Sequence, residues 1–295
     1  MTRGDTTMKG ILITNAFMRQ GSFARMRELF EQAAQRAGVS LIPRVNTDFM
    51  LMPPSAHLKV DFVLFYDKDI RLAARLEAMG LPVFNGAKAI ALCDDKTLTY
   101  LALQRAGVRQ PDTVLCPQTF PGLGYGDMDF LEGVGAALSW PMVIKEGCGS
   151  FGEQVYLAQD EAQARDILHR IGAKPALFQR FIAYSAGRDR RLFVVGDRVI
   201  AAIERRNEHG DFRANIEHGG VASAYFPTAQ ESALALAACR ALGLDFGGVD
   251  LLEAEDGPVV CEVNSNAHFA GLLSATGVNP ADHIMQYIRR TVCEE

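Results

Sequence analysis

The chain has 295 residues, of which 48% are hydrophobic and 22% charged, and its formal net charge is −5. This length exceeds the usual size of one domain, so we expect two or three lobes, and the interspersed charges of both signs argue against a disordered chain. The acidic balance leaves no basic surface for nucleic acid, and no apolar run reaches the roughly 18 residues that would cross a bilayer.

The cysteines and the N-terminal residues indicate the compartment. The six cysteines are scattered without C-x-x-C spacing, and the polar start "MTRGDTTMKG" lacks the apolar region of a secretory signal. We therefore expect a cytoplasmic protein with reduced thiols. Small molecules or proteins are its expected substrates, with no membrane or nucleic-acid partner.

Residues 1–90 alternate between strand and helix patterns. Buried strands are predicted at Lys9 to Thr14 and Val60 to Asp67, each followed by a helix, with Ser22 as candidate N-cap of the first helix. The shorter strands "VSLIPRV" and "PVFN" complete the series. This alternation is typical of βαβ units and predicts a three-layer α/β lobe. Because no glycine-rich turn follows the first strand, the dinucleotide-binding fingerprint is missing.

Two further lobes are predicted, over residues 91–182 and 183–295. The first contains the helix "KTLTYLALQRAG", a Pro- and Gly-rich stretch from Pro111 to Gly135 that we expect to be a mobile surface loop, and then strands around one helix. The second consists mostly of hairpins with the helix "QESALALAACRALG", which predicts an antiparallel sheet.

A glycine turn, "GCGSFG" (Gly147 to Gly152), follows the strand "PMVIKEG". A dinucleotide site needs a helix after these glycines, whereas here a strand follows, so the pattern predicts a hairpin flap whose N–H groups can close over phosphates. Lys145 precedes the turn and could reach a phosphate under the flap. The alternatives are an ordinary flexible hairpin and a surface lysine. A protein kinase is disfavoured, because the H-R-D and D-F-G segments are missing.

A second hairpin, "GGVDLLEAEDGPVVCEVN" (Gly247 to Asn264), carries polar residues on one face. A three-residue loop, Glu255 to Gly257, places Asp250 directly opposite Glu262, and Asn264 shares that face because side chains alternate with period two. Opposed carboxylates are destabilising unless a cation lies between them, and oxygen ligands suit Mg²⁺ or Mn²⁺. The alternative is a slipped register, with Asp250 facing solvent and Glu262 paired with an arginine.

Three arginines, Arg205, Arg206 and Arg213, stand between these two hairpins. Arginine suits bidentate binding of phosphate or carboxylate, and one aimed at a transferring phosphoryl group stabilises the developing charge. The alternative is a solvated hairpin end with salt bridges to nearby glutamates.

In this order the segments resemble the ATP-grasp superfamily, most closely the RimK-type carboxylate-amine ligases, from about Asn85 to Ile288. The segments that carry the resemblance are "DDKTLT", "VIKEGCGSFGEQV", "VVGDRVIAAIERR" with "GDFRANIEHGG", and "VDLLEAEDGPVVCEVNSN" with "TGVN".

The resemblance implies an ATP-grasp fold behind an N-terminal pre-ATP-grasp lobe, and a role for each matching residue. Lys96 and Lys145 would contact the ATP phosphates, and Arg213 would stabilise the acyl phosphate. Further implied ATP contacts are Gly149 and Ser150 in the flap, Gln179, Arg180, Phe181 and Ile182 in the interlobe hinge, Asp189, and Asn215. The implied metal ligands are Asp250, Glu262 and Asn264, with Glu262 bridging two ions.

Two positions depart from the family pattern. Relatives usually have an acidic residue where this chain has Arg180, so a contact to ribose or adenine is lost. Ala214 stands where the family has serine, so a hydroxyl contact is also lost.

The implied activity is ATP- and Mg²⁺-dependent ligation of a carboxylate to an amine through an acyl phosphate, with an amino acid such as glutamate joined to a protein, peptide or small molecule. The alternatives are a kinase on the same fold and a nucleotide-binding protein without turnover. Selectivity is expected from residues 14–23, 66–69 and 267–276. The chain is a possible homo-oligomer. No general base for the amine is identified, since His218 in a polar loop is more often solvated.

Overall fold

The computed structural model describes residues 7–18, 21–53, 56–149, 152–214 and 220–294. Three β-sheets form in these ranges, of four, four and five strands. The strands of each sheet fall within one of the three predicted lobes, while the lobe boundaries themselves stay predictions. Among the described residues, no helix is long and apolar enough to span a membrane.

The first sheet is parallel, with strand order β2-β1-β3-β4. Its elements are β1 (Lys9–Thr14), α1 (Ser22–Arg36), β2 (Ser40–Val45), β3 (Phe62–Phe65), α2 (Ile70–Ala78) and β4 (Val83–Phe84). The four residues of β3 are all buried, as expected for a strand covered on both faces. Ser22 is not the N-cap of α1: Gly21 is, and no side chain caps this end.

The second sheet is antiparallel, with order β5-β8-β6-β7. The elements of this part of the chain are α3 (Ala87–Asp94), α4 (Lys96–Arg105), β5 (Thr113–Leu115), α5 (Phe130–Leu138), β6 (Met142–Glu146), β7 (Val155–Ala158), α6 (Glu161–Ile171) and β8 (Ala176–Arg180). The expectation of a mobile loop from Pro111 to Gly135 is wrong at both ends, where β5 and α5 form. Leu131 and Val134 of α5 are buried in the core of this lobe, and this packing outweighs the helix-disfavouring glycines.

The third sheet is antiparallel, with order β11-β10-β9-β12-β13. Its elements are β9 (Arg188–Val195), β10 (Arg198–Asn207), β11 (Gly220–Tyr225), α7 (Ala229–Leu242), β12 (Phe246–Ala254), β13 (Gly257–Asn264), α8 (Ala270–Thr276) and α9 (Pro280–Glu294). A capping box begins α7: Glu231 N–H donates to Thr228 Oγ1 at 3.2 Å, and Thr228 N–H donates to the Glu231 carboxylate at 2.7 Å. An antiparallel sheet in this lobe agrees with the prediction.

The β12–β13 hairpin places the two carboxylates opposite each other as predicted, but its loop length differs from the prediction. Its loop has two residues rather than three, because Ala254 pairs with Gly257. Cys261 is then an extra residue in β13, a bulge that restores the register, so that Asp250 lies opposite Glu262 as predicted. The slipped-register alternative is therefore wrong.

An aromatic core fixes the first lobe against the third sheet. The Phe30 ring packs edge-on to Tyr66 and Phe269, with centroids 4.9 and 5.7 Å away, and Tyr66 stacks on Phe246 at 6.4 Å. Tyr66 also donates from its hydroxyl to the Ala267 carbonyl at 2.6 Å. These contacts hold the end of β3 beside the loop that follows β13.

Asn85, which is fully buried, makes a polar junction between the same lobes. Its Nδ2 donates to the Phe246 and Ser265 carbonyls at 2.9 and 3.0 Å, and its Oδ1 accepts from Asp245 N–H at 2.8 Å. A buried amide with this many partners specifies one arrangement of the lobes.

The carboxyl of Asp245, just before β12, predicts a pH dependence of stability. Burial raises its pKa from 3.8 to about 6, which the hydrogen bond from Tyr287 opposes. Because the folded pKa exceeds the unfolded one, Asp245 contributes most to stability below about pH 4 and loses this contribution as the pH rises through about 6. Asp245→Asn should therefore gain stability relative to wild type between these pH values, by about 2 kcal/mol.

Urea unfolding of wild type and variant across this range measures the effect. Asp197→Asn, in an exposed turn with the Asp197 side chain 80% accessible, is the matched control and should show no such trend. A stability difference between wild type and Asp245→Asn that stays constant with pH would contradict the prediction.

Candidate active site

A first cleft lies between the second and third sheets and encloses about 740 Å³ of space, part of it open to solvent. It brings together predicted residues from six separate segments of the chain. Those that line it are Lys96, Lys145, Gln179, Arg180, Phe181, Ile182, Asp189, Arg213, Asp250 and Glu262. Ser150, Asn215 and His218 lie outside the described residues.

Lys145, on β6, is a buried cation without an acidic partner. The residue is only 7% exposed. Its ammonium contacts the Cys261 carbonyl at 3.4 Å and the Cys261 Sγ at 3.6 Å. No Asp or Glu among the described residues lies within ion-pair distance of it. An ammonium is costly to bury without a counter-charge, so this position suits an anionic ligand better than the alternative of a surface lysine.

Lys96, the first residue of α4, connects the flap to the carboxylate hairpin. Its ammonium lies 3.4 Å from Glu262 Oε1 and donates to the Gly149 carbonyl at 3.3 Å. Gly149 and Gly152, the described ends of the flap tip, therefore lie beside the first cleft. Gly152 accepts from Arg213 Nη1 at 2.8 Å.

The predicted hinge, Gln179 to Ile182, borders the cleft where β8 ends. The Arg180 side chain donates to Asp112 Oδ2 and to the Ala137 carbonyl, at 2.8 and 3.0 Å, and its backbone N–H donates to the Asp112 carbonyl at 2.8 Å. Arg180, which departs from the family pattern, therefore makes a surface contact with Asp112, the residue before β5, and with α5.

The three arginines of the sequence segment have different environments. Arg205 is buried beside the first cleft, only 3% exposed. Arg206 points to solvent and pairs with Glu204 at 2.6 Å, which matches the solvated alternative. Arg213 pairs with Asp211 at 2.7 Å, and these hydrogen bonds raise the pKa of its guanidinium.

A buried ion network supports the base of the cleft. Arg205 binds both carboxylate oxygens of Asp189 at 2.6 Å and reaches Asp250 at 3.0 Å, and Arg191 binds both oxygens of Asp250 at 2.7 Å. Burial alone would raise the pKa of Asp250, but Arg191 and Arg205 outweigh it and lower the pKa. Sequence reasoning missed Arg191, although it shares the period-two face of β9 with Asp189.

The three predicted metal ligands line two clefts. Asp250 borders the first, Asn264 borders a second, and Glu262 borders both. The Glu262 side chain is 30% exposed and its cationic neighbour Lys96 is at 3.4 Å. Asp250 Oδ1 accepts one hydrogen bond, from Arg191 Nε, and retains a lone pair. Within the described residues, Asn264 Nδ2 is buried without a partner. Two carboxylates and an amide oxygen fit a hard divalent cation.

The second cleft lies between the first lobe and the end of β13, and it spans about 1160 Å³ of space, part of it open to solvent. Its walls come from all three segments expected to give selectivity. These lining residues are Thr14, Asn15, Met18 and Phe23, then Tyr66, Asp67 and Lys68, and finally Ala267 and His268. Arg205 and Glu262 line both clefts, so the two clefts meet at the carboxylate hairpin.

Comparison with known proteins identifies this arrangement. The model of the RimK-like ATP-grasp domain matches residues 93–288. A probable alpha-L-glutamate ligase from Parasynechococcus marenigrum is 35% identical over 255 residues, 86% of this chain and 51% of that protein. The ribosomal protein bS6--L-glutamate ligase of Escherichia fergusonii is 37% identical over 226 residues, 75% of this chain and 72% of that protein.

A solved structure shows the same fold over nearly the whole chain. The RimK domain ATP-grasp protein of Sphaerobacter thermophilus superposes with a TM-score of 0.71 at 25% identity, covering 95% of this chain and 98% of that one. The predicted fold class is confirmed, as is the predicted enzyme class, an ATP-dependent ligase that forms amide bonds. The chain belongs to the RimK-like ATP-grasp family.

Proposed function

We propose that the protein joins an amino acid to a protein, peptide or small-molecule acceptor through an acyl phosphate, with Mg·ATP in the first cleft and the substrate pair in the second. One observation carries the proposal: Glu262 lines both clefts. The phosphoryl group would therefore move at the junction, from nucleotide to carboxylate. The relatives named for glutamate make glutamate the first amino acid to test.

Nucleotide binding relies on charge that the first cleft already holds. Lys145 supplies a buried, unpaired ammonium for the β- and γ-phosphates, and Lys96 supplies a second beside the flap. Such groups act without reorganisation when charge develops on the transferring oxygens. Phe181 and Ile182 would border the base, and Asp189 and Asn215 would add nucleotide contacts.

Asp250, Glu262 and Asn264 would hold Mg²⁺ or Mn²⁺, two ions in all, with Glu262 shared between them. When bound, the metal neutralises the triphosphate and polarises the phosphoryl oxygens. The Arg191–Asp250–Arg205 contacts keep the Asp250 carboxylate ionised and fixed in orientation, which is the state that a metal ligand needs.

Arg213 would bind the acyl phosphate and the oxyanion that forms when the amine attacks. Its guanidinium donates to the Gly152 carbonyl in the flap and lines the first cleft, which supports this role. Ser150 of the flap would add a phosphate contact. The homo-oligomer stays a prediction.

An ADP-release screen tests the proposal. The protein is incubated with Mg²⁺, ATP and the twenty L-amino acids or a set of short peptides, alone and in pairs. ADP release is measured, and the products are identified by mass spectrometry. We expect an amide without phosphate in one pairing. A phosphorylated product would identify a kinase instead, and ATP binding without ADP release from any pair would indicate a protein without turnover.

Replacing Lys145 by glutamine should weaken ATP binding by at least about tenfold, because a buried charge-assisted contact to phosphate is lost. Thermal stability should be unchanged or higher, since the variant removes an unpaired buried charge. Calorimetric titration with Mg·AMPPNP and thermal unfolding measure the two effects. Lys88→Gln, an exposed position on α3, is the control and should alter neither; equal affinity in Lys145→Gln and wild type would contradict the assignment.

A further inference from the structure

Asp67, which follows β3, is a buried carboxylate in the second cleft with no cation to balance it. The residue is 7% exposed, and no Lys, Arg or His within the described ranges lies at ion-pair distance from it. The other charges of this cleft are matched. Its four Lys and Arg side chains all pair with acids: Arg27 with Glu31, Lys68 with Asp94, Arg191 with Asp250, and Arg205 with Asp189.

The donors that Asp67 has are neutral. Asn15 Nδ2 lies 3.1 Å from Oδ1 and 3.4 Å from Oδ2, and Lys68 N–H donates to Oδ1 at 2.7 Å. Oδ2 thus has one long contact. Burial raises the pKa of this carboxyl, and the hydrogen bonds from Asn15 and Lys68 only partly offset the effect. A buried carboxylate without a counter-charge is unfavourable, so the missing partner is one that the folded chain does not supply.

Asn266, just beyond the carboxylate hairpin, holds the backbone of Asp67 in place. Its Nδ2 donates to the Asp67 carbonyl at 2.6 Å, which assigns the amide orientation and leaves Oδ1 as the free acceptor. Among the described residues no donor reaches that oxygen. Asp67 Oδ2, which has only the long contact from Asn15, and Asn266 Oδ1, which has no donor, therefore belong to neighbouring residues in the wall of one cleft. Together they match a group with several N–H bonds and a positive charge.

We propose that Asp67 binds the ammonium group of the amine substrate and accepts its proton before attack, with Asn266 Oδ1 as a second acceptor for the ammonium and Asn15 as a positioning residue. The inference rests on the proposed ligase function and names the part of the site that serves the amine. Glu262 and Asn264 line the same cleft, so an amine held at Asp67 shares a cavity with the carboxylate that is activated at the hairpin.

The R–NH₃⁺ group gives one proton to the Asp67 carboxylate and becomes R–NH₂, whose lone pair forms the C–N bond at the acyl carbon. The C–O bond to phosphate breaks, phosphate leaves with that electron pair, and the second N–H proton of the new amide nitrogen goes to phosphate. Met26, Phe30 and Tyr66 line the same cleft, and their low polarity strengthens an ion pair at Asp67 and favours a carboxylate basic enough to accept the proton.

Thermal unfolding of the full chain with Mg²⁺ and AMPPNP tests the binding step without turnover. The probes are the twenty L-amino acids and their N-acetyl derivatives, which keep the side chain and carboxylate but lack the ammonium. We expect at least one amino acid to raise the melting temperature, and N-acetylation to weaken its apparent affinity at least about tenfold. Asp67→Asn should weaken binding of the free amino acid by the same factor.

Asp69→Asn is the matched control. Asp69 belongs to the segment 66–69 but does not line the second cleft. It caps α2 by accepting from Leu72 N–H at 3.1 Å, a bond that asparagine also makes. This variant therefore removes a charge that contributes to the raised pKa of Asp67 and leaves the Asp67 carboxylate in place. The proposal is overturned if no amino acid stabilises the protein, if N-acetyl derivatives bind equally well, or if Asp67→Asn binds like Asp69→Asn. If Asp67→Asn fails to fold, the comparison of free with N-acetylated amino acids on the wild-type protein still tests the proposal.

Hydroxylamine separates the amine role from a role in binding the carboxylate. It is uncharged at neutral pH, so its attack on an acyl phosphate needs neither an anionic anchor nor a base. Asp67→Asn should form hydroxamate within about threefold of wild type while losing amide formation by about 100-fold or more. Equal loss of both products would overturn the proposal. If wild type forms neither product with any carboxylate, the ligase function fails, and the binding measurements alone decide the role of Asp67.

Discussion

Replacing Glu262 by glutamine is expected to lower Mg²⁺-dependent ADP release by at least about 100-fold. Glu262 lines both clefts, and its carboxylate is 30% exposed with Lys96 at 3.4 Å. Glutamine keeps the volume but removes the charge, so the variant should bind metal more weakly and should leave Lys96 without its counter-charge. Steady-state ADP release over a range of Mg²⁺ concentrations measures both the maximal rate and the apparent metal affinity.

The same hairpin offers a matched control for Glu262. Glu255 lies in the exposed turn between β12 and β13, so Glu255→Gln changes the same residue type at the far end of the hairpin and should leave the rate within about twofold. Wild-type rates and Mg²⁺ dependence in Glu262→Gln would show that Glu262 is not a metal ligand. Normal thermal unfolding of both variants would show that a lost rate reports on the site rather than on folding.

Replacing Arg205 by glutamine is expected to lower the free energy of unfolding by about 3–5 kcal/mol, the usual effect of breaking a buried charge pair. The Arg205 side chain is 4% accessible and lies within 3.0 Å of both Asp189 and Asp250. Without its guanidinium, Asp189 loses its cationic partner and Asp250 keeps only Arg191. Two neighbouring buried carboxylates would then repel each other. Urea unfolding at neutral pH gives the change directly.

The neighbouring Arg206 provides the comparison for this effect. It lies on the same strand, is 61% accessible and pairs with Glu204, so Arg206→Gln should change stability by less than about 1 kcal/mol. The double variant Asp189→Asn/Arg205→Gln should recover part of the loss, because it removes one uncompensated carboxylate. If Arg205→Gln were as stable as Arg206→Gln, the network would have no structural role.

Much of the first cleft was predictable because its signals are local. The two strands of the carboxylate hairpin are joined by a short turn, and period-two alternation then places Asp250 and Glu262 on one face. That prediction survived an error in the loop length, since the bulge at Cys261 compensates for the shorter turn. Lys145 and the flap were likewise predicted from their positions at a strand end and among glycines, whereas Lys96 was implied by the family resemblance.

Other features depend on contacts between residues far apart in the chain. The helix α5 forms in a glycine-containing segment because Leu131 and Val134 are buried against the second sheet, which no local pattern shows. The pairing of Arg191 with Asp250 joins residues 59 positions apart. From sequence, the segments 14–23, 66–69 and 267–276 were expected to give selectivity, but no ligand could be assigned to them.

The sequence by itself determined the family, and it gave the proposed order of lobes and the residue types at the proposed phosphate and metal positions, since short ordered segments of the chain carry these signals. Only the tertiary structure decided which charges are compensated. Burial and partner distances set the cost of an ionised group, and both arise from packing. Lys145 and Asp67 are ordinary strand-end residues in the sequence, and it is the packing of the lobes that leaves each buried without a counter-charge, one in each cleft.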